Sequence, residues 1–215
     1  RTGDFFNVQI SDTALHCLPA DFIAGKMMLV RAMILGLSLD LVQPTADPMK
    51  DIYNSYDFVA MTPMQAQNSL EKLSQIKTLI IGGAPIYPEL NEQLATLHNN
   101  CFETYGMTET ITHIAASKLS VPKKPFRALD RIHLEEDADG CLVVDAPDIT
   151  DQLIRTNDLV DMHDEKTFTY LGRRDNVINC GGVKISPEVV ERKLAHHIRH
   201  PFFLHGIPDK VLGQK

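Results

Sequence analysis

Five consecutive residues, Tyr105 to Glu109, combine an aromatic ring, a glycine, a hydroxyl and a carboxylate. A ring can stack on a base, a hydroxyl can contact a phosphate, and a carboxylate supplies an oxygen ligand of the kind that Mg²⁺ accepts. The run Tyr105-Gly106-Met107-Thr108-Glu109 therefore contains the groups that a magnesium–nucleotide site needs. Taken alone, it is short enough to be an ordinary polar turn.

Three further stretches carry groups that suit the same chemistry. The glycines of Gly82-Gly83-Ala84-Pro85 allow the backbone to approach a flat ligand, although a tight strand-to-helix turn would have the same composition. Asp158, in a predicted loop after Ile154-Arg155, can accept hydrogen bonds from two ribose hydroxyls or can simply be solvated. Arg173 is a planar donor for a ribose or phosphate oxygen, or a surface ion-pair partner of Asp175.

A second glycine pair, Gly181-Gly182, lies between a predicted strand and a predicted helix. In that position it could be a phosphate-binding loop at a helix N-terminus. It has neither the Gly-Lys-Ser/Thr ending of a P-loop nor the Gly-x-Gly-x-x-Gly spacing of a dinucleotide site. The chain also lacks Gly-x-Ser-x-Gly, which removes the hydrolases that use a nucleophile elbow.

The 215 residues, 44% of them hydrophobic and 23% charged, have the composition of a soluble globular protein. The net charge of −7 argues against nucleic acid or an anionic membrane as a partner. The apolar segment from Phe22 to Leu37 is shorter than the roughly 20 residues that span a bilayer and includes Lys26 and Arg31, so we expect a buried helix. The four cysteines form no Cys-x-x-Cys pair, which indicates reduced thiols in a cytoplasmic protein.

Short apolar segments alternate with helical patterns in the first half of the chain. Strands are predicted at 13–18, 39–42 and 77–81, and helices from Asp21, as a capping residue, to Gly36, from Met64 to Leu73, and from Pro88 onward. This alternation predicts an α/β domain, a mostly parallel sheet with helices on its faces, over residues 1–115.

From residue 116 to residue 174 the pattern becomes β-rich. A hairpin is predicted around Asp139-Gly140, with Ile132 to Leu134 and Cys141 to Val144 as its strands, and another strand at 168–171. Residues 175–215 then contain a strand ending at Cys180, a helix that Ser186 caps and Pro187 opens, a strand at 202–205 and a turn at 208–209. This last part is interpreted as the start of a small α+β domain.

Taken jointly, these pieces resemble the AMP-forming acyl-CoA synthetases, a branch of the adenylate-forming enzymes. The matching motifs are Gly82-Gly83-Ala84-Pro85, Tyr105-Gly106-Met107-Thr108-Glu109, Thr156-Asn157-Asp158 and the long block from Gly172 to Glu188. They follow the family order and extend over nearly the whole chain. The resemblance implies a ligase that joins a small carboxylic acid to coenzyme A through an acyl-adenylate, using ATP and Mg²⁺.

The resemblance also implies roles for individual residues of the first half. Tyr105 would stack on adenine, Thr108 would contact the α-phosphate and Glu109 would help to hold Mg²⁺. Gly106 and Phe22 would border the acid, and for Phe22 core packing is the open alternative. The turn formed by Gly83, Ala84 and Pro85 would border the adenine and the acyl group.

In the second half, the resemblance implies that Asp158 binds the ribose hydroxyls and that Arg173 supports the ribose or a phosphate. Asp175 would be the hinge about which a small C-terminal domain rotates between two half-reactions. Gly181 and Gly182 would line the pantetheine channel, where a side chain would obstruct the thiol.

Two departures from the family pattern matter. Asn157 replaces the glycine of the usual Thr-Gly-Asp motif. The Ser/Thr/Gly-rich phosphate loop, expected before Arg1, and the catalytic lysine, expected after Lys215, are absent from the sequence. We therefore expect a part of a longer ligase, with negligible activity by itself.

Within the family, the likeness is strongest to the compact bacterial o-succinylbenzoate–CoA ligases of menaquinone biosynthesis. It rests on Thr156 to Val160, Leu171 to Asn179 and the segment Leu18 to Lys26. A different acyl- or aryl-CoA ligase, and a non-catalytic remnant that binds a nucleotide or acyl ligand, remain alternatives. The oligomeric state stays open, with a homodimer among the options.

Overall fold

The computed structural model describes residues 1–97, 99–195, 197–198, 200 and 202–215. These residues form two compact units, Arg1–Arg131 and Ile132–Lys215. The predicted α/β class is confirmed, with a largely parallel sheet followed by β-rich and mixed segments. The finer division at residues 115 and 174 stays a prediction.

The first unit is built on one sheet. Its strands are β1 (Thr13–His16), β2 (Ser38–Leu41), β3 (Tyr56–Met61), β4 (Ile76–Ile81), β5 (Asn100–Gly106), β6 (His113–Lys118) and β7 (Phe126–Ala128). They lie in the order β2-β1-β3-β4-β5-β6-β7. The first five are parallel, and β6 and β7 continue the sheet in antiparallel register.

Four α-helices accompany the described strands of this unit: α1 (Thr2–Phe6), α2 (Ile23–Leu35), α3 (Pro63–Asn68) and α4 (Pro88–Ala95). The single helix predicted from Met64 to Leu73 is instead α3 followed by a 3₁₀ segment, Leu70–Gln75. Helix α1 and strands β3, β6 and β7 were not predicted from the sequence, although β3 and β6 consist mostly of buried residues.

Both faces of the sheet are covered by apolar side chains, as expected for parallel strands. Alternate residues of β3 and β4 point to opposite sides because side chains in a strand alternate. One face packs Phe58, Ala60 and Ile80 with Phe6 and Met28, and the other packs Val59, Met61, Leu79 and Ile81 with Leu90 and Leu94.

Helix α2 begins one residue later than the sequence suggested. Phe22, not Asp21, is its N-cap, so the predicted capping role of Asp21 is wrong, whereas the predicted end at Gly36 is confirmed. Inside the helix, Gly25 lies directly against the backbone of Pro19 and Ala20. The chain reversal before α2 therefore depends on a residue with no side chain.

The second unit contains two antiparallel sheets. The strands of the first are β8 (His133–Glu136), β9 (Cys141–Asp145), β10 (Ile154–Asp164) and β11 (Thr167–Arg173), in the order β11-β10-β9-β8. The second sheet has the order β13-β12-β15-β14, formed by β12 (Ile178–Cys180), β13 (Val183–Ile185), β14 (Pro208–Asp209) and β15 (Gly213–Gln214). Helix α5 (Pro187–Leu194) follows β13.

Some sequence predictions for this unit hold and others do not. The hairpin at Asp139-Gly140 is confirmed, because β8 and β9 pair across it. Residues 202–205 are not a strand, and Pro208-Asp209 is a short strand that pairs with Gly213-Gln214 instead of a turn. Asp158 lies within β10 and not in a loop.

The remaining general predictions concern membranes and thiols. None of the helices in the described ranges has both the length and the apolar character to cross a membrane. Cys17, Cys101 and Cys141 are buried, Cys180 is partly buried, and all four are free thiols.

The packing of α2 against Pro19 leads to a stability prediction. We expect Gly25→Ala to lower the free energy of unfolding by about 1–3 kcal/mol, because the new methyl group would overlap the Pro19 carbonyl oxygen and backbone cannot move aside cheaply. The matched control is Gly3→Ala, whose methyl group would meet only the flexible end of Leu35. Urea denaturation measures both variants, and equal stability of the two would contradict the prediction.

Candidate functional site

The loop after β4 is shaped by two glycines with different surroundings. A methyl group on Gly82 would lie 2.5 Å from Thr104 Oγ1, so Gly82 is needed for close approach of the chain to β5. Gly83 has φ +88°, which disfavours other residues, and the direction in which its side chain would point is open. Gly83, Ala84 and Pro85 are all exposed at this edge of the sheet.

Tyr105 and Gly106 end the neighbouring strand at the same edge. Ile81 and Glu103 are aligned in the parallel pair β4–β5, so the Gly82 loop lies beside the last residues of β5, which include Tyr105. The Tyr105 ring is tilted against Phe126, with 6.0 Å between centroids. Carboxyl ends of parallel strands are where open α/β sheets bind ligands.

The predicted phosphate and magnesium residues lie in the turn that leaves β5. Thr108 and Glu109 are exposed, in a 3₁₀ turn that spans Thr108–Thr110. Buried Thr110 fixes the turn, because its Oγ1 accepts from the Met107 N–H at 3.0 Å and donates to the Thr112 carbonyl at 2.8 Å. Ile111 follows at φ +64°, a strained conformation for a β-branched residue of the kind found beside functional sites.

This donor set fits Mg²⁺ bound together with a nucleotide. Mg²⁺ is commonly held by one or two carboxylates plus phosphate oxygens, and Glu109 offers one exposed carboxylate. Within the part of the chain that the structure describes, no cluster of three or more His, Cys, Asp or Glu side chains is arranged to bind a metal.

The second unit brings three of the predicted residues together. Asp158 Oδ1 lies 3.3 Å from Arg173 Nη1, and Arg173 Nη2 lies 3.3 Å from Asp175 Oδ2. Asn157 donates to the same oxygen of Asp175 at 3.2 Å. Asp158 is buried, and the Asp175 hydrogen bond together with the Asp158 charge raises the pKa of Arg173 above its ordinary value. The ion pair with Asp175 that was the plainer alternative for Arg173 is thus present.

Asp175 occupies the 3₁₀ turn Arg174–Asn176 between β11 and β12. This turn is fastened by a residue that the sequence reasoning did not single out, Glu188 of α5. Its Oε1 accepts from the Arg173 N–H at 3.3 Å and from Asn176 Nδ2 at 2.6 Å. Gly172 has no room for a side chain because Glu188 and Ser186 lie against it. The signal in the sequence was the position of Glu188, an acid in the first turn of the helix that Pro187 opens.

Gly181 and Gly182 form the tight turn of a hairpin. Cys180 pairs with Val183 across the turn, and both glycines have positive φ, 58° and 87°. A two-residue hairpin turn of this type requires positive φ at both positions. The interpretation as a phosphate loop at a helix N-terminus is wrong, because β13 separates the glycines from α5. Ser186 is the N-cap residue of α5, as predicted, but its side chain makes no capping hydrogen bond and instead donates to the Leu171 carbonyl at 3.1 Å.

Arg31 is a buried cation that the sequence interpretation treated only as a charge within an apolar helix. It is 7% exposed, Nη2 donates to Thr112 Oγ1 at 3.4 Å, and Cζ lies 5.7 Å from the Phe58 ring centroid. No carboxylate among the described residues forms an ion pair with it, and burial lowers its pKa to about 10. Because an unpaired buried charge is costly, Arg31 is a candidate anion-binding residue.

Arg31 is connected to the edge that carries Tyr105. Its partner Thr112 and the next residue, His113, press against Gly106, where a methyl group would lie 2.5 Å from the Thr112 carbonyl oxygen. Phe22, at the start of the same helix, is 68% exposed, so the core-packing alternative for Phe22 is wrong. The lone arginine in an apolar helix was the sequence signal for this part of the site.

Residues 2–133 match the family model described as AMP-binding enzyme, and the chain belongs to that family. A similar solved structure is the acyl-CoA synthetase (AMP-forming)/AMP-acid ligase II-like protein from Dyadobacter fermentans. It is 38% identical, with a TM-score of 0.77, over 100% of this chain and 65% of that chain. The o-succinylbenzoate coenzyme A synthetase from Bacillus subtilis, in complex with ATP and magnesium ion, has the same fold, with a TM-score of 0.82 at 22% identity over 99% of this chain and 52% of that chain.

Curated relatives carry the name 2-succinylbenzoate–CoA ligase. The protein from Bacillus cytotoxicus is 26% identical over 247 residues, which cover 94% of this chain and 50% of the relative. The protein from Escherichia coli K12 is 26% identical over 221 residues, which cover 95% of this chain and 48% of the relative. The chain therefore spans about half the length of the curated relatives that it matches.

The buried imidazole of His113, against the backbone of Gly106, leads to a pH prediction. Burial, with the charges of Arg31 and Arg1, lowers the pKa of His113 to about 3. His113 is therefore neutral in the fold but gains a proton in the unfolded chain below its ordinary pKa of about 6.5. The unfolded state then binds more protons, so stability falls as the pH drops from about 6.5 towards 3.

We expect His113→Gln to reduce the slope of unfolding free energy against pH by up to about 1 kcal/mol per pH unit in this range. Denaturant unfolding at several pH values measures the slope. The exposed His133→Gln is the matched control and should leave the slope unchanged. A wild-type slope in His113→Gln would contradict the assignment.

Proposed function

We propose that the chain is part of an AMP-forming carboxylic acid–CoA ligase of the cytoplasm, which forms an acyl-adenylate from ATP and then an acyl-CoA. The observation that carries the proposal is the placement of the Gly83–Pro85 loop and the Tyr105–Glu109 run at the carboxyl ends of two adjacent parallel strands. Membership of the AMP-binding enzyme family and the names of the curated relatives support the same reaction.

In this proposal each residue of the β4–β5 edge has a separate role. The open Gly83 and the following Ala84 and Pro85 border adenine and the acyl group, and Tyr105 stacks on adenine. Thr108 contacts the α-phosphate and Glu109 holds Mg²⁺. Bound Mg²⁺ would neutralise part of the negative charge of the phosphates.

The second unit supplies the remaining proposed roles. Asp158 accepts the ribose hydroxyls, and Arg173 donates to the ribose or a phosphate. Asp175 is the hinge, and Gly181 and Gly182 line the pantetheine channel of coenzyme A. The protein needs no nucleophile of its own, because such a reaction depends on holding the carboxylate in line with the α-phosphorus and on stabilising charge.

The substrate that fits best is o-succinylbenzoate. This acid has two carboxylates, so one can be activated while the other needs a cation. Arg31 is a buried guanidinium without an anionic partner among the described residues, next to the Thr112–His113 segment that borders Gly106. A simple fatty or aryl acid would leave that charge unpaired, which makes another acyl- or aryl-CoA ligase the weaker candidate.

The nucleotide roles are tested in the full-length ligase by pyrophosphate release from ATP with o-succinylbenzoate. We expect Asp158→Ala to weaken ATP binding by roughly 10- to 150-fold, the loss of a hydrogen-bonding charge, and Glu109→Ala to lower kcat with little change in ATP affinity. Asp161→Ala, an exposed acid on the same strand, is the matched control. The 215-residue chain alone should release no pyrophosphate.

If Asp158→Ala and Asp161→Ala bind ATP equally well, the assignment of Asp158 to the ribose is wrong. If the full-length protein releases no pyrophosphate with any carboxylic acid while ATP still binds, a non-catalytic nucleotide-binding protein replaces the ligase proposal.

The role of Arg31 is tested by changing the protein and the acid together. We expect Arg31→Met to raise the KM for o-succinylbenzoate by roughly 10- to 150-fold, with the KM for ATP within about twofold, because only the acid carries the complementary charge. An analogue without the second carboxylate should be a poor substrate of the wild type and should lose little further in Arg31→Met. Lys26→Met, an exposed lysine on the same helix, is the control. Equal losses with both acids would show that Arg31 does not bind the second carboxylate.

A further inference from the structure

Glu103 is a buried acid at the edge that carries the proposed nucleotide site. It lies on β5 two residues before Tyr105, so the two side chains are on the same face of the strand. Its exposed fraction is 6%. A carboxylate that is this buried requires a cation and hydrogen-bond donors. The partners of Glu103 identify the segments of the chain that it connects.

The two oxygens of Glu103 hold two different loops. Oε1 accepts a hydrogen bond from the Ile86 N–H at 3.3 Å, and Ile86 directly follows the Gly83–Pro85 loop. Oε2 lies 2.5 Å from Lys123 Nζ, in the connection between β6 and β7. One side chain therefore ties the end of the ligand-facing loop to a second connection.

Lys123 extends this link to the aromatic wall of the site. Its Nζ lies 5.9 Å from the centroid of Phe126, the ring against which Tyr105 is tilted. The connection is held in place by Ser117, which donates to the Lys124 carbonyl at 2.8 Å and is the cross-strand partner of Glu103. Loop, ion pair and ring form one continuous set of contacts.

We propose that Glu103 and Lys123 are positioning residues for nucleotide binding, an ion pair with a buried carboxylate that holds the Gly83–Pro85 loop and the Tyr105 ring at a fixed separation. The proposal rests on the proposed function, in which these two elements border adenine. The start of the loop is already held by Thr104, whose Oγ1 donates to the Ile81 carbonyl at 3.1 Å. Glu103 holds the end of the loop. The loop is therefore already ordered before a nucleotide binds, which reduces the entropy cost of binding.

The different burial of the two partners makes the test specific. The Lys123 side chain is 35% exposed and that of Glu103 is 8% exposed. In Glu103→Gln the amide oxygen still accepts from Ile86 and Lys123 can turn to water, whereas Lys123→Met leaves a buried carboxylate without a cation. Removal of both charges by Glu103→Gln with Lys123→Met eliminates that unpaired charge.

The experiment measures the dissociation constant of magnesium–ATP by calorimetry on the full-length protein, without acid. We expect Lys123→Met to raise this dissociation constant about tenfold or more and Glu103→Gln to raise it less. The double variant should fall between the two single variants, because the effects of residues in contact are not additive. If Lys123→Met does not fold, the double variant should still bind ATP more weakly than the wild type by about threefold.

Lys118→Met is the matched control, because Lys118 is exposed on β6 and its Nζ donates to Asn100 Oδ1 at 2.9 Å. A melting temperature is recorded for every variant. Unchanged ATP affinity in the variants, equal weakening by Lys118→Met, or no ATP binding by the wild type would overturn the positioning role. Absence of acid-dependent pyrophosphate release with intact ATP binding would instead overturn the ligase proposal and leave this test in force.

Discussion

The parallel pairing of β4 with β5 is the constraint on which the rest of the candidate site depends. Its register places the glycine loop and the Tyr105 run at the same edge. The two strands can end this close together only because Gly82 has no side chain to meet Thr104. Every role proposed for the Gly83–Pro85 loop and for Tyr105 follows from that approach, because a shift of one residue would turn the side chains of β5 to the other face.

Charge burial is the second organising feature, and the two units handle it differently. In the first unit, Glu103 has Lys123 as its cation, whereas Arg31 has hydroxyl, sulfur and aromatic neighbours and no described acid. In the second unit, buried Asp158 is balanced by Arg173, which is in turn shared with Asp175. A charge that has an ion-pair partner is suited to holding loops, while a cation without one is suited to receiving an anion.

Much of the fold follows from local sequence signals, and the misses have physical causes. Apolar runs such as Ile76–Ile81 predict buried strands, and Pro88 and Pro187 predict helix starts, because those signals act within a few residues. Asp158 was predicted in a loop because residues 155–158 are a polar run and Asn and Asp are uncommon in strands, whereas pairing with β11 keeps this run extended within β10. The motif residues could be recognised by their residue types. The roles of Glu103 and Arg31 depend on Lys123 and Thr112, which are 20 or more residues away in the sequence, so local patterns did not predict them.

The glycines show how a motif can be separated from the needs of the fold. At Gly25, Gly106 and Gly172 a side chain would collide with backbone or with a fixed polar group, so packing alone explains them. Gly83 and Gly182 differ, because their positive φ explains the absence of a side chain while the space in front of each is open. Open space at these two positions therefore leaves room for a ligand to approach the backbone, which is the property that the proposed nucleotide and pantetheine contacts require.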